Sequence, residues 1–364
     1  MERQQRAALE PLEPASRRTM GPVARPIYTT GVPDLDARVQ ELVDLVNPED
    51  RDLVREILTT SVRLSRQRAT RGELKMVNAA LKEFSYSFRV FAPYRGKRKV
   101  SIFGSARITE GQPEYEATRQ FARQISERGW MVITGAGPGV MQAGHEGAGA
   151  QRSFGVNIRL PMPNPANVFI AGDAKLINFK YFFTRKVTFM KESDAFVLLP
   201  GGFGTLDETF ELLTLMQTGK SDLHPVVLLQ PGGSTYWDDW LAFVHSQLLD
   251  RGLINPDDLH LFTVASTPER AIEVIEGFYR NYHSARFIGE RLVIRVRRLP
   301  DEATLARWGD EFADLLASGG FEIVPPSPEE VEEEDALEFG RVAFYPTHNY
   351  GRMRVFIDAV NGVV

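Results

Sequence analysis

The chain has 364 residues, 43% hydrophobic and 25% charged, with 43 Lys and Arg against 48 Asp and Glu for a net charge of −5. That balance lacks the basic excess of a nucleic-acid groove, and no apolar run approaches the ~18 residues a membrane span needs. With no cysteine, disulfides, thiolate metal sites and cysteine nucleophiles are excluded. The six histidines make no ligand spacing, so neither a metal nor another cofactor is expected.

Residues 1–32 are rich in Pro, Arg and Ala without periodicity and read as a flexible tail. They hold no apolar stretch of the kind a signal peptide carries, and a soluble cytoplasmic protein is the plain expectation. Residues 33–92 turn helical: Leu35, Val39, Leu42 and Val43 mark a first helix, Leu53, Ile57 and Leu58 a second, and Leu74, Val77, Leu81 and Phe84 a third. Asn47-Pro48 separates the first two. No chemistry is visible in this segment, which reads as a cap or an oligomer contact.

A different pattern runs over residues 98–284. Short apolar strands are expected at 99–103, 130–134, 154–158, 195–199 and 225–229. Helices are expected between and after them, at 115–128, after the glycines at 135–139, at 178–192, after the glycine run 200–205 through Met216, and at 237–249 and 268–282. Wholly apolar strands alternating with amphipathic helices imply an α/β fold, a Rossmann-like doubly wound parallel sheet covered on both faces. Ligands of such sheets bind at the carboxyl ends of the strands, where the strand order reverses. Three glycine-rich turns fall at such ends, after Phe103, Thr134 and Leu199. Residues 285–364 read as a small separate α+β domain of unknown role, with strands at 291–296, 321–324 and 341–345, a helix at 303–318 and a last segment at 353–360. Its acidic run, 329–335, reads as a solvated loop or helix face, and the Arg-rich stretches 95–99 and 291–298 as solvated surface.

The turn Pro200-Gly-Gly-Phe-Gly-Thr-Leu-Asp-Glu208 carries most of the chemical argument. Glycines let the backbone approach an anion, and the helix that follows aims its first N–H groups at it. Gly201, Gly202, Gly204 and the Thr205 hydroxyl suit a phosphate monoester. No Lys follows the glycines, so this is not a P-loop. The turn holding Gly135, Gly137 and Gly139 fails as a dinucleotide fingerprint, because Val140 takes the last glycine position and no acidic residue closes the next strand. Thr205-x-x-Glu208 also fits a capping box, in which both side chains merely satisfy helix N–H groups. Against that plainer reading, Glu208 sits on the helix that starts at the anion turn, and Glu211 adds a second carboxylate one turn later. Two carboxylates beside a phosphate suit a sugar ring that develops positive charge. Arg185 reads either as a surface arginine beside an aromatic face or, with Lys186, as an anion or base contact. Gly104, Ser105 and Arg107 after the first strand, and Gly137, Gly139 and Met141 after the second, complete the candidate substrate-binding set. His145 reads as structural.

Taken together, these motifs resemble the LONELY GUY (LOG) family, long mislabelled as lysine decarboxylases. The resemblance covers about residues 98–282. It rests on PGGxGTxxE at 200–208, the Arg185-Lys186 pair, Phe103-Gly-Ser-Ala106 and Gly137-Pro-Gly-Val-Met141. It implies hydrolysis of cytokinin riboside 5′-monophosphates or AMP to free base and ribose 5-phosphate, with Arg185 and Glu208 catalytic and Gly201–Thr205 as phosphate loop. It also implies a homo-oligomer, a dimer or larger, with the site near a subunit interface. Gly135-Ala136-Gly137 departs from the three glycines common there, and both added segments lie outside the resemblance. No lysine here has pyridoxal-phosphate surroundings. The competing readings are a non-catalytic nucleotide or cofactor carrier on the same fold, such as the molybdenum-cofactor carriers, and a regulatory protein that senses a nucleotide.

Overall fold

The computed structural model describes residues 28–162 and 165–363, so all but the last few residues of the expected tail lie outside the described residues. The chain divides into two compact units that meet between Val77 and Asn78. In the first, α1 (Pro33–Val46) packs on α2 (Arg51–Arg66). Asn47 in the left-handed region at φ +47° ends α1, a conformation asparagine tolerates. The long α3 (Arg71–Phe91) begins in this unit and ends in the second.

The second unit opens on β1 (Lys99–Phe103), α4 (Pro113–Glu127), β2 (Met131–Thr134), α5 (Val140–Ala148), β3 (Ser153–Ile158), β4 (Leu176–Phe179) and α6 (Phe182–Glu192). It continues through β5 (Ala195–Leu198), α7 (Phe203–Gln217), β6 (Val226–Leu229), α8 (Tyr236–Phe243), β7 (Thr263–Ala265) and α9 (Pro268–Phe278). The seven strands pair in parallel in the order β4-β3-β2-β1-β5-β6-β7. The order therefore reverses between β1 and β5, which opens a crevice at their carboxyl ends. Side chains alternate across the sheet. Val100, Ile102, Val132, Val197 and Val227 pack against Phe121 and Ile125 of α4 and Ile272 and Ile275 of α9. Met131, Ile133, Phe196, Leu198 and Leu228 face Phe189 of α6 and Leu212 and Met216 of α7.

Several boundaries differ from expectation. Residues 178–179, expected to start a helix, close the edge strand β4, whose Asn178 pairs with Asn157 of β3. β7 has three residues, too few for a readable pattern. The helix expected to reach 282 stops at Phe278, and Tyr282 opens β8 (Tyr282–Ile288), first strand of a second sheet. With β9 (Arg291–Val296), α10 (Glu302–Glu311), β10 (Leu316–Ile323), α11 (Pro328–Glu332), β11 (Gly340–Pro346) and α12 (Tyr350–Asn361), it forms a four-stranded antiparallel sheet in the order β10-β11-β9-β8. Leu292, Ile294, Phe344 and Phe356 from this part join the same apolar cluster as Phe196 and Leu212. The junction is stapled by Asn361. Its side-chain oxygen accepts from the N–H groups of Asn281 and Tyr282, both at 2.8 Å, and its amide donates to the Phe278 carbonyl at 2.7 Å.

Most of the acidic run is exposed as expected, but Glu330 departs from the solvated reading. Ser327 caps α11 in a capping box with Glu330, and this turns Glu330 inward to complete burial. One oxygen accepts from Arg295 Nη2 at 2.6 Å and Nε at 2.9 Å, the other from Arg341 Nε at 3.0 Å. Arg295 is thus buried, not solvated. Lys99, in the other Arg-rich stretch, is also buried, 4.0 Å from Glu192.

Candidate active site

At the reversal point three turns are tied together by backbone bonds. Leu199 N–H donates to the Phe103 carbonyl (2.8 Å), Ser105 N–H to Pro200 (3.1 Å) and Val140 N–H to Ser105 (3.1 Å). The close approach dictates the glycines. A Cβ on Gly201 would strike the Thr205 side chain, and Gly139, at φ +69°, could carry one only into the Ser105 carbonyl. The turns enclose a cleft of about 840 Å3, lined among others by Gly104, Ser105, Arg107, Met141, Arg185 and the run 201–208.

The helix α7 starts at Phe203 with Gly202 as N-cap and no side-chain cap. Leu206 N–H closes the first turn on the Gly202 carbonyl at 3.1 Å, so the amides before it form the open helix terminus, an anion seat. A Cβ at Gly202 would meet nothing within 4 Å. This start overturns the capping-box alternative, because Thr205 and Glu208 both lie inside the helix and cap nothing. Thr205 instead turns its side chain toward Gly201.

Glu208 is buried, and among the described residues its Oε2 has no hydrogen-bond partner. Its Oε1 lies 3.9 Å from Arg185 Nη1. Arg185 comes from α6, where Nε donates to the Val156 carbonyl within β3 (2.8 Å) and the guanidinium lies 5.1 Å from the Phe189 ring centroid. Burial pushes the Glu208 carboxyl up to about 7, with Arg185 and Lys186 pulling the other way. Burial likewise draws Arg185 below the ordinary arginine value, opposed by Glu208.

Four residues expected to contact substrate stand back from the cleft. Gly137 packs on Met141 and Gly139 on the Ser105 turn. Lys186 Nζ sits 2.8 Å from Glu211 and 2.9 Å from Asp207, so Lys186 and Glu211 neutralise each other beside the cleft. His145 is buried under the sheet, with Nε2 3.0 Å from both Thr134 Oγ1 and the Phe154 carbonyl. Conversely, Phe182, Phe203 and Tyr236 line the cleft unforeseen. Tyr236 donates its hydroxyl to the Gly201 carbonyl at 2.6 Å. Its place just past the carboxyl end of β6 was the available signal. Among the described residues no lysine lines the cleft. Among the described residues no cluster of His, Cys, Asp or Glu could hold a metal ion, and no helix is long and apolar enough to cross a membrane.

A family model described as possible lysine decarboxylase matches residues 138–275. The probable cytokinin riboside 5′-monophosphate phosphoribohydrolase LOGL2 of Oryza sativa subsp. japonica is 30% identical over 186 residues, 50% of this chain and 73% of that protein. The cytokinin riboside 5′-monophosphate phosphoribohydrolase LOG3 of Arabidopsis thaliana is 27% identical over 186 residues, covering 50% and 83%. A solved molybdenum cofactor binding protein from Rippkaea orientalis is 23% identical over 50% of this chain and 96% of that one, at a TM-score of 0.35, too low to discriminate function. By its match to the rice protein over nearly three quarters of that sequence, this chain belongs to the LOG family.

Proposed function

We propose that this protein hydrolyses the N-glycosidic bond of nucleoside 5′-monophosphates, AMP or a cytokinin riboside monophosphate, to free base and ribose 5-phosphate. The observation that carries this reading is the buried carboxylate of Glu208, with one oxygen unpartnered and the other 3.9 Å from Arg185, on the helix whose first turn forms the glycine-rich anion seat. The 5′-phosphate docks on Gly201, Gly202, Gly204 and Thr205, which fixes the ribose. As the bond from C1′ to the base nitrogen lengthens, the sugar gains oxocarbenium character. Ionised Glu208 stabilises that charge and accepts a proton from the attacking water. The bond electrons leave with the base, which Arg185 holds by hydrogen bonding; an arginine is too weak an acid to protonate it. The departing base then takes up the proton that water gave to Glu208. A carboxyl near 7 suits such a base at neutral pH.

The chain acts as a homo-oligomer on this reading. Phe203 is 93% exposed beside the cleft, with Phe182, Phe183 and Val187 exposed on α6, an apolar patch that a second copy would cover. Sedimentation analysis checks this. A nucleotide substrate also fits a cytoplasmic site of action. A carrier would need the glycine turn but not a buried, poised carboxylate. Incubation with a panel of 5′-monophosphates, followed by chromatography for free base, separates the two. Binding without base release would support the carrier and end the hydrolase reading.

A further inference from the structure

The catalytic proposal leaves open what aims Arg185. The helix that carries it, α6, begins at Phe182 with Tyr181 as N-cap and no side-chain cap. Its approach is held from about a hundred residues upstream. In the part of α3 beyond Asn78, Glu83 accepts the Lys180 N–H on Oε1 at 2.7 Å and the Thr184 hydroxyl on Oε2 at 2.5 Å. Thr184 is fully buried and immediately precedes Arg185. A carboxylate at this end also opposes the positive pole of the helix dipole. α3 touches α6 again at its far end, where Lys191 lies 5.2 Å from the Phe88 ring centroid. Phe91 of α3 stacks on Phe154 of β3 at 4.3 Å, two residues before the Val156 carbonyl that holds Arg185 Nε. α3, β3 and α6 thus form one frame around the arginine.

We propose that Glu83 is a positioning residue for the reaction, tying the Lys180 N–H just before α6 to the Thr184 hydroxyl of its first turn, from outside the parallel sheet, so that this turn presents Arg185 to Glu208. This rests on the hydrolase reading above. Glu208 is faced by Arg185 and Lys186 from α6 and by Asp207 and Glu211 on its own helix, with Arg107 across the cleft. Of these, Arg185 and Lys186 follow directly on Thr184, which Glu83 holds, and of the two Arg185 is the one that lines the cleft.

The test compares adenine release from AMP across pH in the full chain, Glu83→Ala, Glu83→Gln and Arg185→Ala. Glu83→Ala is expected to lower kcat by about tenfold with KM little changed, within the ~10²-fold that small misplacements cost. Its acid limb of kcat/KM should move to higher pH, because a displaced guanidinium favours ionised Glu208 less. Glu83→Gln keeps one acceptor oxygen and should fall between, a graded response that guards against loss of fold in the alanine variant. Wild-type kcat and an unmoved limb in both Glu83 variants, with Arg185→Ala impaired, would overturn the positioning role alone. Full activity in Arg185→Ala would overturn the hydrolase assignment of that arginine, and the role of Glu83 with it.

Discussion

Glu208 and Glu330 are both buried glutamates near helix starts, and their surroundings are opposite. In the C-terminal sheet Glu330 meets two arginines and its own capping box, and although burial works against its charge, these bonds hold its carboxyl down at about 2. In the cleft Glu208 is largely buried, its Oε2 has no hydrogen-bond partner among the described residues, and burial pushes it up to about 7. The same residue type is thus held as a fixed anion in one place and near neutrality in the other, according to how many donors the fold aims at it.

The comparison breaks most sharply by unfolding. Glu330→Gln leaves Arg341 buried without its carboxylate and Arg295 with Asp335 alone, and denaturant titration should show a loss of about 3 kcal/mol, with turnover per folded molecule unchanged. Equal stability would return Glu330 to ordinary surface charge. For Glu208→Gln, turnover of AMP should drop on the order of 10²-fold, about 2.7 kcal/mol of transition-state stabilisation, while the fold persists. Near-normal adenine release would deprive Glu208 of its role.

The third contrast is pH. Glu208 is raised in the folded state from 4.5 to about 7, so its favourable contribution is present below 4.5 and lost as pH rises through 7. Glu208→Gln should therefore gain up to about 3 kcal/mol over wild type at pH 8 and nothing at pH 4. Glu330 runs the other way: its contribution is present above 4.5 and lost as pH falls toward 2. Stability curves of wild type and the Glu208 variant that stay parallel from pH 4 to 8 would remove the contrast. Most local of all, Gly202→Val should abolish ribose 5-phosphate binding in calorimetry while Tm moves little, because its side chain would occupy the cleft and not the core. Unchanged affinity would put the phosphate elsewhere.

Much of this was legible locally. Strands such as 99–103 and 291–296 announced themselves by runs of β-branched residues, and the PGGxGTxxE run marked the anion turn. What escaped needed partners far away in sequence. Strand β4 is recognisable only through its pairing with β3, and β8, with Ser284 and Arg286 between its apolar residues, merges by pattern into the end of α9. Glu330 is not readable as buried within its exposed run, because Arg295 and Arg341, which bury it, stand 35 and 11 residues off. In the cleft, Glu208 was readable from its motif, whereas Lys186 and Glu211 drew together across two helices, and Tyr236 reached Gly201 from 35 residues away.

The staple at Asn361 gives the chain a timetable. Asn281 and Tyr282 wait about 80 residues for the oxygen that receives their N–H groups, roughly ten seconds at ordinary ribosomal speeds. Until then the end of α9 is unclosed and part of the apolar cluster lies bare. The nascent parallel sheet, complete in its own strands, remains an unfinished body until the last helix arrives.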